Sequence, residues 1–147
     1  MSSPTFHRRR WLRQAAAGPL AAALSAAAPV LRAQGSGDAV SLDEARRLHE
    51  AGEAILIDIR EPDEHATGVA AGARLLPMSQ LNRRVGEIRA GGDKPVLLIC
   101  RTQNRSAATL RALRRPAKAH VRFVDGGMSQ WARRGWPMVP PPAPGAR

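Results

Sequence analysis

A chain of 147 residues has room for one domain and little else. A hydrophobic fraction of 44% and a charged fraction of 24% are those of an ordinary globular protein. The 23 Lys and Arg against 12 Asp and Glu would suit a polyanion, but past residue 33 the only aromatic side chains are Phe123, Trp131 and Trp136. That is too little for a base-stacking surface, and no nucleic-acid partner is expected.

The basic excess is uneven. Arg8, Arg9, Arg10, Arg13 and Arg32 lie in the first 33 residues, which hold no acid, leaving 18 bases against 12 acids, a formal +6, for the rest. His7-Arg8-Arg9-Arg10-Trp11-Leu12-Arg13 resembles a twin-arginine export signal. The Ala-rich stretch from Gln14 to Leu31 is interrupted by Gly18, Pro19 and Pro29, too weakly apolar for the roughly 20 residues of a membrane span. Arg32 precedes a cleavage point after Ala33. The expected organisation is a signal peptide over 1–33, a linker over 34–38, a domain over 39–138 and a Pro-rich, disordered tail over 139–147. The expected location is periplasmic, with no stable membrane span once the leader is cut; an uncleaved anchor or a basic arm is the alternative.

Within the domain, Ser41 caps a helix over Leu42–Glu50, with Asp43 and Glu44 in its first turn. The apolar run Ala54–Ile59 reads as a buried parallel strand. A short acidic helix over Pro62–Ala66 and a strand over Ala73–Leu76 follow. Leu81, Val85 and Ile88 lie on one face of a helix over Ser79–Ala90, which Gly91-Gly92 ends. Pro95–Ile99 is a second buried strand. A helix from about Ser106 to Arg115 stops at Pro116. A last strand over Val121–Val124 turns through Gly126-Gly127 into a helix over Met128–Arg134. Strands alternating with helices predict an α/β fold: a mainly parallel sheet of about five strands with helices on both faces.

Cys100, the sole cysteine, excludes an internal disulfide, a zinc cluster and a Cys-x-x-Cys pair. It stands at the carboxyl end of a strand, where such sheets bind ligands. Arg101, Thr102, Gln103, Asn104, Arg105 and Ser106 follow, all polar, with two fixed charges. These cations and the N–H groups of an incipient helix favour a thiolate and an anionic substrate. His49 is expected to be solvated, His120 shares no metal-ligand spacing with another residue, and Trp131 and Trp136 read as core covers. No metal and no cofactor are expected.

Cys100-Arg101-Thr102-Gln103-Asn104-Arg105-Ser106 resembles the active-site loop of single-domain rhodaneses, the thiosulfate sulfurtransferases. Leu56-Ile57-Asp58-Ile59-Arg60-Glu61-Pro62-Asp63-Glu64 is similar to the stretch that precedes that loop in the family. Val124-Asp125-Gly126-Gly127-Met128, Trp131 and Gly135-Trp136-Pro137 match its closing pattern. The resemblance implies a three-layer rhodanese-like fold and a Cys100 persulfide. Sulfur would come from a small anionic donor such as thiosulfate and pass to a thiol of unknown identity, in a monomer. It also implies that Arg101 and Arg105 meet the donor and the leaving sulfite, while Asp58 and Arg60 anchor the loop's charges. Departures are His65 where an aromatic is usual, Gly68-Val69-Ala70-Ala71-Gly72-Ala73 for Gly-His-Ile-Pro-Gly-Ala, and Gln103 for a common Gly. Two alternatives stand beside this reading: a non-catalytic binding or signalling module, and a phosphatase of the same fold. The phosphatase loop runs Cys-x5-Arg, against Cys100-x4-Arg105 here.

Overall fold

The computed structural model describes residues 37–89, 92–113 and 120–143. The leader motif, the end of the helix expected to run to Arg115, and Pro116 lie outside them. In chain order the elements are β1 (Ala39–Val40), α1 (Leu42–Glu50), β2 (Ile55–Asp58), α2 (Pro62–His65), β3 (Arg74–Leu75) and α3 (Met78–Arg84). Then come α4 (Gly86–Arg89), β4 (Val96–Ile99), α5 (Asn104–Ala112), β5 (Val121–Val124) and α6 (Gly127–Arg133).

The five strands form one sheet in the order β1-β5-β4-β2-β3, and all four pairings are parallel. This is the expected α/β architecture. The continuous apolar runs become the two strands nearest the centre because both faces of each are covered. Along β4, Leu97 and Ile99 enter one core cluster while Val96, Leu98 and then Cys100 enter the other, the period of two that a strand imposes. The first cluster takes Leu42 and Ala45 of α1 with Met128 and Trp131 of α6. The second takes Ile88 of α4 and Leu110 of α5, with Met78, Leu81 and Val85 packed beside it. The sheet therefore lies between two helical layers.

Local chemistry sets the boundaries. Ser41 caps α1 as expected, its Oγ accepting from Glu44 N at 3.3 Å. The helix expected over Ser79–Ala90 is two, α3 and α4, with Val85 as C-cap of the first. Apolar spacing alone does not register such a break, because Val85 and Ile88 still reach the same cluster. The helix after Cys100 begins at Asn104 rather than Ser106. β1, two residues long, is too short to carry a pattern and was not expected. Trp131 is a core cover, and Trp136 meets it edge-on at 5.0 Å. His49 is not simply solvated: its Nε2 lies 2.8 Å from the Ala71 carbonyl. Val139, where the tail was expected to begin, pairs with Val69 through two backbone hydrogen bonds of 2.8 and 2.9 Å.

Candidate active site

Three chain segments meet at the carboxyl ends of β2, β4 and β5. In-register pairing of Asp58 with Ile99 brings the end of β2 beside Cys100. Cys100 is fully buried, and Ser106 N, in the first turn of α5, points at its Sγ from 3.4 Å. Ser106 Oγ lies 3.5 Å from the same sulfur and 3.1 Å from the Gln103 carbonyl. An N–H at a helix N-terminus stabilises negative charge on the sulfur it faces. Gln103 has φ −138° and ψ −9°, a negative φ, so the loop does not call on the left-handed conformation that favours glycine there. Thr102 and Asn104 are exposed and no contact ties their side chains to the sulfur.

The loop's back is held by α6. Met128 N donates to the Cys100 carbonyl and Ser129 N to the Arg101 carbonyl, both at 2.8 Å. Gly127 makes this approach possible: a Cβ there would come within 2.5 Å of the Cys100 carbonyl and closer still to that of Thr102. Its φ of +57° also favours glycine.

Charged residues brace the front. Asp58 is fully buried and accepts from Arg60 N at 3.0 Å, Nε at 2.9 Å and Nη2 at 2.6 Å. Burial would push its carboxyl up, but the neighbouring His65 ring and the Arg60 guanidinium together hold it below its ordinary value. His65 is itself buried, its Nε2 3.5 Å from Asp58 Oδ1 but without hydrogen-bond geometry. Arg60 also donates to the carbonyls of Glu64 and Gly68, at 3.0 and 2.8 Å, which fixes the turn after α2.

Glu64 carries the bracing to the loop. Its carboxylate takes Arg105 Nη1 and Nη2, each at 2.6 Å, a bidentate pair. Both Nη groups of Arg105, the residue expected to meet the anion, bond Glu64 here and tie the loop to α2. The connection from Asp58 and Arg60 to the loop is indirect, through Glu64. Arg101 is exposed and, among the described residues, no hydrogen bond or ion pair engages its guanidinium. It lines a cleft of about 400 Å³ together with Arg60, Glu64, Met128, Ser129 and Met138.

The sequence located Cys100, its loop and Asp58 with Arg60, but assigned no role to Glu64, His65 or Gly127. Glu64 stood inside a recognised segment; its partner lies 41 residues on, a distance no local pattern bridges. Among the described residues no group of His, Cys, Asp and Glu side chains could hold a metal ion.

The rhodanese-like domain family profile matches residues 41–134. Over 104 residues the chain is 36% identical to a sulfurtransferase of Allochromatium vinosum, covering 71% of this chain and 94% of that protein. It is 42% identical over 76 residues to the uncharacterised YqhL of Bacillus subtilis, but spans only 59% of that protein's length and 52% of its own. A rhodanese-related protein from Thermoplasma volcanium superposes with a TM-score of 0.59 at 28% identity, over 71% of this chain and 99% of that one. A human single-domain sulfurtransferase superposes at 0.53 with 25% identity, over 68% and 98%. A parallel sheet, one cysteine at the end of its central strand and a profile match running from Ser41 to Arg134 agree: the chain belongs to the rhodanese-like domain family.

Proposed function

We propose that this chain is a sulfurtransferase that moves a sulfane sulfur through a persulfide on Cys100. The observation that carries this reading is the Ser106 N–H aimed at Sγ from 3.4 Å, at the start of a helix. In the first step the thiolate attacks the outer sulfur of a donor such as thiosulfate. The donor's S–S bond breaks and sulfite leaves with the electron pair. The Ser106 N–H and the helix terminus stabilise the persulfide anion, as an oxyanion hole stabilises its oxygen. Burial of Sγ favours a donor that presents one protruding sulfur atom while its sulfonate stays outside, toward Arg101. A nucleophilic acceptor, cyanide in an assay and a thiol in the cell, then takes the sulfur.

Intact mass after thiosulfate exposure should rise by one sulfur atom, and cyanide should remove it. Cys100→Ser should abolish both changes while leaving the fold intact, because the two side chains are nearly the same size. A wild-type protein that never gains sulfur from any sulfane donor would sink the proposal. Four residues between Cys100 and Arg105 make a tighter cradle than a phosphatase loop with five. Hydrolysis of an aryl phosphate should therefore stay at the Cys100→Ser background.

The same reading includes export by the twin-arginine route, supported by Arg8-Arg9 and the weakly apolar stretch that follows. Changing Arg8 and Arg9 together to Lys should leave the precursor in the cytoplasm. Normal periplasmic accumulation of that variant would refute the route.

A further inference from the structure

Resting on the proposed sulfur transfer, we infer that His65 is a positioning residue for it: a neutral imidazole whose Nε2–H donates to Asp58 and steadies the brace behind the Cys100 loop. The backbone fixes where the ring sits. His65 N donates to the Glu61 carbonyl at 2.9 Å, and the His65 carbonyl accepts from Gly68 N at 2.8 Å. The residue is 3% exposed. Its Nε2 is buried 3.5 Å from Asp58 Oδ1 and has no hydrogen-bond partner. Buried polar atoms are nearly always partnered, so this one calls for a reason.

The neighbours decide which nitrogen carries the proton. Among the described residues, every hydrogen bond to the Asp58 carboxylate comes from Arg60. Oδ1 accepts from Arg60 N and Nε, each at 3.0 Å, and Oδ2 from Nε at 2.9 Å and Nη2 at 2.6 Å. Asp58 is thus charge-matched by Arg60, as Glu64 is by Arg105. A further buried cation would go unmatched, which favours the neutral ring. Such a ring has one N–H and one lone pair. A lone pair on Nε2 would set acceptor against acceptor, and the dry interior strengthens that repulsion. A proton on Nε2 makes the same contact attractive, and a shift of about half an ångström reaches ordinary hydrogen-bond length. The state of Asp58 agrees: burial pushes its carboxyl up, yet the His65 ring and Arg60 hold it below its ordinary value.

The consequence travels along the brace. Arg60, gripped by Asp58, donates to the carbonyls of Glu64 and Gly68, which flank His65 in the chain. With His65 bonded back to Asp58, the strand end and the turn hold each other. Glu64 then grips Arg105, the neighbour of Ser106, whose N–H faces the sulfur. His65 therefore acts on Sγ through other residues.

The first test needs no variant beyond an assignment control. Long-range proton–nitrogen NMR of the full-length protein at neutral pH reads the ring protons, with the His65 signal identified by its loss in His65→Phe. The proton should be on Nε2 and Nδ1 should be bare. A proton on Nδ1 alone, or on both nitrogens, would overturn the inference. The second test follows sulfur loading from thiosulfate by intact mass. His65→Phe, similar in volume but without a donor, should load roughly tenfold more slowly, the scale of a bond to a charged group. His65→Gln, whose amide N–H can stand in for Nε2, should recover most of that rate. Wild-type loading by the Phe variant, or a Gln variant no faster than Phe when both melt like the wild type, would also overturn it. Cys100 is the sole thiol, so its alkylation by iodoacetamide should follow the same order of rates. Failure of the wild type to load removes the sulfurtransferase reading, while the alkylation order and the ring proton still decide the role of His65. Where a variant unfolds, the ring proton of the wild type decides it.

Discussion

With its carboxylate in two 2.6 Å contacts to Arg105 and its carbonyl taken by Arg60, Glu64 joins the buried Asp58–Arg60 pair to the loop that holds Cys100. Arg105 immediately precedes Ser106, whose N–H faces the sulfur. Loss of the Glu64 charge should therefore act on the loop's geometry rather than on substrate charge. Glu64→Gln keeps the shape and removes one charge-assisted interaction, worth about 1.5–3 kcal/mol, so turnover should fall roughly ten- to a hundredfold. The pH response carries the same signature. Arg105 holds the Glu64 carboxyl from an ordinary value of 4.5 down to about 2. A carboxyl lowered by folding adds stability that is fully present above its ordinary value and is lost as pH falls toward the folded-state value. Thermal stability of the wild type should thus decline progressively from about pH 4.5 to about pH 2, and Glu64→Gln should remove part of that slope. An unchanged slope in the variant would locate the acid sensitivity elsewhere.

Between β5 and α6 the chain turns through Gly126 and Gly127, and that turn forms the floor under the loop. Gly127→Ala forces a methyl group against the Cys100 and Thr102 carbonyls and a side chain into a φ of +57°. Overpacking and backbone strain of this kind cost about 1–3 kcal/mol each. The denaturant midpoint should fall accordingly, with loss of sulfur loading even where the protein remains folded. The Gly126-Gly127 turn was visible in the sequence, but its purpose was not. A turn signal reports a local bend and says nothing of which distant backbone lies against it. Long apolar runs behaved otherwise. β2 and β4 were legible because two-sided burial leaves an unbroken hydrophobic stretch in the chain itself. The split between α3 and α4 was not, since both halves bury the same face. Cys100 and its loop were legible from local chemistry; the pairing of Arg105 with Glu64 was not, because Glu64 comes from another element.

Taken as a whole, residues 34–147 are basic, with 18 Lys and Arg against 12 Asp and Glu. Several of these charges are matched on the surface, as in Arg47 with Glu44 and Glu53, Arg84 with Glu87 and Arg134 with Asp43. The surplus attracts small anions over a Debye length of about 10 Å at 0.1 M salt. For thiosulfate, kcat/KM should fall as ionic strength rises, while the rate of unloading to cyanide at saturation should change far less. A salt-independent kcat/KM would show that the surplus charge has no part in donor capture.

The order β1-β5-β4-β2-β3 has a temporal consequence. Among the described residues β1 is the first strand to leave the ribosome and pairs with β5, the last made, and Val69 waits for Val139. Met138, which walls the cleft, is later still than β5. Contacts so distant in sequence must close long loops before they repay the entropy, which slows folding. The sheet therefore cannot be completed on a partly synthesised chain: pairing of β1 with β5 and then the cleft come after translation of nearly the whole domain.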